Sequence, residues 1–261
     1  IIKAMKLIFI LILTYTFVSS NNISANENIE NCSIKNVPSK ERIFSKNFSG
    51  VFNGKRIDYV ASLKEKIIYE KDNPSEPMAS FFYTEYIVES DKNRPIIFSF
   101  NGGPGSASLW LHMGVLGPKV IKVPSDASDD GAAPFKIVDN KLSPLSDADL
   151  VFIDPIGTGY SRAIGCHEPE EFWGVSEDPK IIAEFIRRWI NDNKRWNSPR
   201  FILGESYGGI RGPLLVSELR SGSITPIEVN GLLLVAPASD YQYLVFHPGN
   251  NSPHYGFLPS Y

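Results

Sequence analysis

Apolar positions change their spacing in blocks along this chain, and each block predicts a different element. Leu7 to Val18 is a continuous apolar run, preceded by Lys3 and Lys6 and followed by Ser19-Ser20, after which Asn21 to about Ser45 is polar and mixed. Ser49–Val51 and Ile57–Leu63 then flank Asn53-Gly54, a pair that tolerates positive φ at both turn positions, so a β-hairpin opens the folded part. Phe81–Val88, Pro95–Phe100 and Asp149–Asp154 are short, aromatic or β-branched, and read as strands.

Further along, the period lengthens. Ile181, Ile182, Phe185, Ile186, Trp189 and Ile190 fall on one helical face, which is core. Asp178 is the expected N-cap, with Pro179 at the first helical position, and Ser198-Pro199 stops the segment. Phe201–Leu203 reads as a strand, Ile210–Leu219 as a second helix and Val229–Val235 as a buried strand. This alternation implies a largely parallel sheet and an α/β fold.

Composition narrows the function. At 261 residues and 43% hydrophobic content the chain can bury one large core, which makes a single domain over residues 46–261 the expectation. A net charge of -3 with no basic block excludes a surface that tracks nucleic acid. Residues 1–20 read as a secretory signal, since a membrane span needs about twenty apolar residues, and residues 21–45 as a polar tail. After cleavage no membrane span is expected, and the protein is secreted or periplasmic. Cys32 and Cys166 permit one disulfide without requiring it. No set of His, Cys, Asp or Glu has zinc-ligand spacing, so neither a metal nor a cofactor is expected. Asn31 and Asn47 each lie two residues before a serine, a pattern that matters only in a eukaryotic secretory pathway.

Two segments carry chemistry. Gly204-Glu205-Ser206-Tyr207-Gly208-Gly209 follows an apolar run and precedes a helical pattern, the layout of a turn that pushes a serine out between a strand and a helix. Ser206 is therefore the candidate nucleophile. Asn101-Gly102-Gly103-Pro104-Gly105-Ser106 follows the strand ending at Phe100, and such a loop can present bare N–H groups to a developing oxyanion. Gly103 and Tyr207, the residue after the nucleophile, are the candidate donors.

These two segments, with Leu116-Gly117-Pro118 and Asp154-Pro-Ile-Gly-Thr-Gly-Tyr-Ser161, occur in an order and spacing that resembles the serine carboxypeptidase family of the carboxypeptidase Y type, most closely its bacterial branch. The resemblance covers about Arg94 to Gly231. It implies an α/β-hydrolase fold, with helices on both faces of a mostly parallel sheet, and release of C-terminal residues from peptide substrates through an acyl-enzyme on Ser206. It also implies that Asn101, Gly102 and Glu205 hold the substrate's free carboxylate, with Glu205 protonated and activity favoured at acid pH.

The chain departs from that family at three places. Val115 stands where the better known eukaryotic members carry a second Glu before Leu-Gly-Pro, which leaves Arg162 or Arg211 as other candidates for the carboxylate. Ser106 stands where the family often has Cys. The family's triad Asp and His lie far beyond the serine turn, so the expectation is that these 261 residues are the N-terminal half of an enzyme, inactive alone. An esterase or acyltransferase of the same fold, and a non-catalytic binding remnant, are the alternatives.

Overall fold

The structure, a computed structural model, describes residues 37–89, 93–124, 126, 128, 132–221 and 225–258. The signal segment and most of the polar tail lie outside the described residues. In chain order the strands are β1 (Ile43–Phe52), β2 (Lys55–Tyr69), β3 (Pro77–Ile87), β4 (Ile96–Phe100), β5 (Lys119–Ile121), β6 (Ile137–Asp139), β7 (Asp149–Ile153), β8 (Arg162–Ala163), β9 (Arg200–Glu205) and β10 (Gly231–Val235). Three helices are central to the description: α1 (Glu177–Asp192), α2 (Gly208–Ser221) and α3 (Ser252–Phe257).

The main sheet runs β1-β2-β3-β7-β4-β9-β10, with β8 paired to β3. The hairpin predicted around Asn53-Gly54 forms, with φ of 47° and 78° at the two turn residues, and its strands extend well past the predicted runs. From β1 to β7 the neighbours are antiparallel. From β7 through β4 and β9 to β10 they are parallel, and this half holds the chemistry.

Alternation along the central strands fills both faces of this sheet. On one face Val151 and Ile153 join Phe98, Phe100 and Ile202 against α1 and α2. On the other, Leu150 and Phe152 meet Leu111, Leu145 and Phe52. The layers are those of an α/β-hydrolase fold.

The predicted apolar face of α1 is buried throughout, and Trp189 at its centre donates its indole N–H to Glu85 at 2.8 Å. The predicted cap is not used. Ser176 takes the N-cap position, and Asp178 lies inside the first turn with its carboxylate 2.6 Å from Arg211 Nε. A full charge from the guanidinium outcompetes the backbone N–H groups for that carboxylate. A second correction concerns β10, expected as a buried strand. It is the last strand of the described sheet, and although Leu232 and Leu234 face Gly212 of α2, Leu232 to Val235 are all exposed. The two-stranded β5–β6 sheet and α3 carried no periodic signal.

Cys166 is disulfide-bonded, and the chain's other cysteine, Cys32, lies outside the described residues. Among the described residues no helix is long and apolar enough to cross a membrane.

Candidate active site

β4 is the point at which the parallel half turns around, because β7 lies on one side of it and β9 on the other. Loops leaving the carboxyl ends of strands at such a point flank a crevice. Here they are the Asn101–Ser106 loop after β4 and the Ser206 turn after β9.

Ser206 has φ of +56°, a left-handed conformation that a serine adopts at a cost of about 1–3 kcal/mol. Three backbone hydrogen bonds hold it there: Ser206 N–H to the Val235 carbonyl at 3.0 Å, and Gly209 and Ala238 N–H to the Ser206 carbonyl, each at 2.8 Å. The turn closes only because Gly204 has no side chain, since a Cβ there would lie 2.7 Å from the Gly208 carbonyl oxygen.

Parallel pairing of Phe100 with Gly204 brings the next residues, Asn101 and Glu205, side by side. Asn101 is fully buried, donates from Nδ2 to Glu205 Oε2 at 3.0 Å, and accepts at Oδ1 from Leu111 N–H at 3.1 Å. Gly102 N–H points at the same Glu205 oxygen at 3.4 Å. Asn101, Gly102 and Glu205, predicted from separate motifs, thus form one hydrogen-bonded group. Gly102 also presses on the serine turn: a Cβ there would sit 2.4 Å from Tyr207 N and 2.8 Å from Ser206 Cβ. Gly103 follows, exposed, with φ of +109°. The two candidate oxyanion donors therefore come from loops in contact.

The supporting shell was less legible in the sequence. Ser108 N–H donates to Asp154 Oδ1 at 2.8 Å and its hydroxyl to the Ile153 carbonyl, which fastens the β4 loop to the end of β7. Burial pushes the Asp154 carboxyl above its ordinary range, and the Ser108 N–H works against that. Arg211 is 2% exposed and lies under the loop. Its signal in the sequence is a lone charge in an otherwise apolar helix start.

Arg162 donates to the carbonyls of Ser161 at 2.7 Å and Thr158 at 3.4 Å, within its own turn. Val115 is 56% exposed on the helical turn at His112–Leu116. The four histidines are engaged elsewhere: His112 with Tyr86, His167 with Glu171, His247 with the Pro248 carbonyl, and His254 against the Phe246 ring. Asp240 caps the turn at Tyr241–Tyr243. Among the described residues no group of three His, Cys, Asp or Glu could hold a metal ion.

The family model described as serine carboxypeptidase matches residues 61–246, more than half of the chain. Serine carboxypeptidase-like 9 of Arabidopsis thaliana is 30% identical over 177 residues, covering 64% of this chain and 38% of that protein. Serine carboxypeptidase-like 5 of the same plant is 30% identical over 185 residues, covering 65% and 40%. Among solved structures, a prohormone-processing carboxypeptidase of Saccharomyces cerevisiae, Kex1Δp, aligns with a TM-score of 0.49 at 20% identity over 76% of this chain and 48% of that one. The chain thus spans well under half the length of these curated relatives.

Proposed function

This chain belongs to the serine carboxypeptidase family, and from that premise we propose that the whole protein releases C-terminal residues from peptides through an acyl-enzyme on Ser206. The observation that carries the proposal is the contact of Gly102 with the Ser206–Tyr207 turn, which sets a strained serine beside two loops able to donate N–H groups.

In the proposed reaction Ser206 Oγ adds to the last peptide carbonyl and gives its proton to a base. The carbonyl oxygen becomes an oxyanion that accepts from Gly103 and Tyr207 N–H. The C–N bond then breaks, the departing amine takes the proton, and water hydrolyses the ester. The proposal assigns the base and its orienting acid to the part of the relatives' length that this chain does not match.

Asn101, Gly102 and Glu205 are proposed to hold the substrate's terminal carboxylate. Two carboxylates at hydrogen-bond distance repel unless they share a proton, so peptidase activity is proposed to favour acid pH. Arg211 is not available for that role, being paired with Asp178 beneath the loop. A second reading, esterase or acyltransferase, is favoured by one observation: exposed Val115 supplies no second carboxyl to share that proton.

The test is to express the whole coding frame and compare a peptide with its C-terminal amide. A rate lost on amidation and absent in Ser206→Ala supports the carboxypeptidase. Indifference to the amide supports the second reading, and a serine unreactive towards a phosphonate probe supports a non-catalytic protein. A peptidase profile flat from about pH 4 to 8 removes the role given to Glu205.

We infer export as well, from the signal pattern in residues 1–20 and from the disulfide at Cys166, which belongs to an oxidising compartment. The bacterial branch is the proposed affinity within the family, on the strength of the motifs alone.

A further inference from the structure

We propose that Arg211 is a positioning residue that sets the spacing between the two proposed oxyanion donors. The inference rests on the functional reading given to Ser206, Gly103 and Tyr207.

Arg211 contacts both loops at once. Its Nη1 donates to the Asn101 carbonyl at 2.7 Å, two residues before Gly103. Its guanidinium carbon lies 5.2 Å from the centre of the Phe100 ring and 5.1 Å from that of Tyr207, so the cation is held between the last residue of β4 and the residue that follows the nucleophile. Nε is taken by Asp178 at 2.6 Å, and Asp178 belongs to the first turn of α1. Three elements therefore meet on one buried side chain.

Packing fixes Gly102 against the serine turn but leaves the Pro104–Gly105 end of the loop bordering open space. Pro104 and Gly105 border an open cavity of about 300 Å³, lined also by Gly157, Trp173, Asp178 and Arg211. That end of the loop depends on polar tethers, and besides the bonds of Asn101 and Gly102 to Glu205, the side chain that reaches the serine turn is Arg211. Its fork geometry is what lets one side chain serve a carboxylate and a carbonyl together, which lysine cannot reproduce.

An ion pair kept only for stability makes a different prediction from a positioning residue. Replacing a buried pair by apolar residues of similar size is often neutral for stability, so Asp178→Leu/Arg211→Met removes the tether without leaving a lone buried charge. The experiment uses the protein from the whole coding frame and measures melting temperature, kcat, KM and the rate of phosphonate labelling at Ser206. A folded double variant with kcat and labelling lowered about 10–100-fold and KM within about twofold is the expected result, the size of loss that follows a shift of about 1 Å in a reacting group.

A folded double variant with wild-type kcat overturns the proposal, and so does one in which KM alone rises. If the double variant does not fold, Arg211→Lys decides: it keeps the charge and stem, and kcat must fall at retained melting temperature, whereas wild-type kcat refutes the role. Failure of the underlying reading looks different, because the wild-type protein itself then shows no Ser206-dependent labelling.

Discussion

A methyl group at position 102 has nowhere to go. Its nearest neighbours would be Tyr207 N at 2.4 Å and the Glu205 carbonyl oxygen at 2.6 Å, both backbone atoms of the serine turn, so no rotamer change can relieve the clash. Gly102→Ala is expected to cost about 1–3 kcal/mol of stability by overpacking and to slow phosphonate labelling of Ser206 about 100-fold. Gly114→Ala is the control, since nothing lies within 4 Å of a Cβ there, and it should leave labelling unchanged. Wild-type labelling of Gly102→Ala would show that the two loops are not packed as described. Neither loop was decisive in the sequence by itself, because a Gly-rich turn and a G-x-S-x-G pattern each have other uses, and it was their occurrence together that marked the site. Their contact was not legible there, since it depends on β4 and β9 being neighbours, with Phe100 opposite Gly204.

Among the elements, the helical turn at Leu109–Leu116 couples the site to pH. His112 stacks on Phe152 with ring centres 4.6 Å apart and shares a 2.6 Å hydrogen bond between Nε2 and the Tyr86 hydroxyl. Burial lowers its pKa from 6.5 to about 4. The unfolded chain therefore takes up this proton first as the pH falls. The stabilising effect of a neutral His112 is complete above about pH 6.5 and is lost between there and pH 4, amounting to about 2 kcal/mol by pH 5. His112→Phe is expected to keep its melting temperature between pH 7 and 5 better than wild type, by several degrees; parallel curves for the two proteins would contradict the shift. Initial rates at low pH must therefore be read with the folded fraction. Helical periodicity gave the face of α1 correctly, because burial of six large apolar residues overrides any detail at its end. It misplaced the cap, because the partner of Asp178 lies on α2, 33 residues away. A pattern confined to one element carries no information about a charge on another.

At the scale of the whole molecule, the two edges of the main sheet matter most. β1 and β10 are its terminal strands among the described residues, and they differ in character. β1 carries Lys46, Asn47 and Ser49 among its apolar residues, polar groups that blunt an edge. β10 is Gly-Leu-Leu-Leu-Val, and Leu244, Val245 and Phe246 nearby are exposed as well. Strand runs this apolar belong where both faces are covered, which is why the sequence predicted burial that the structure does not show. The relatives extend well beyond the matched region, so the proposal that this chain is part of a longer enzyme assigns the missing cover to the rest of that enzyme. Exposed apolar surface of this kind drives association and binds hydrophobic dyes. Residues 21–261 expressed alone are expected to aggregate or to bind such a dye strongly, and the protein from the whole coding frame to do neither. Substituting Leu233 and Val235 with Lys should improve the solubility of the short form, while in the long form the same charges would be buried and destabilise it. A short form that stays monomeric, melts cooperatively and ignores the dye would mean that β10 needs no cover, and the argument for further strands beside it would fall.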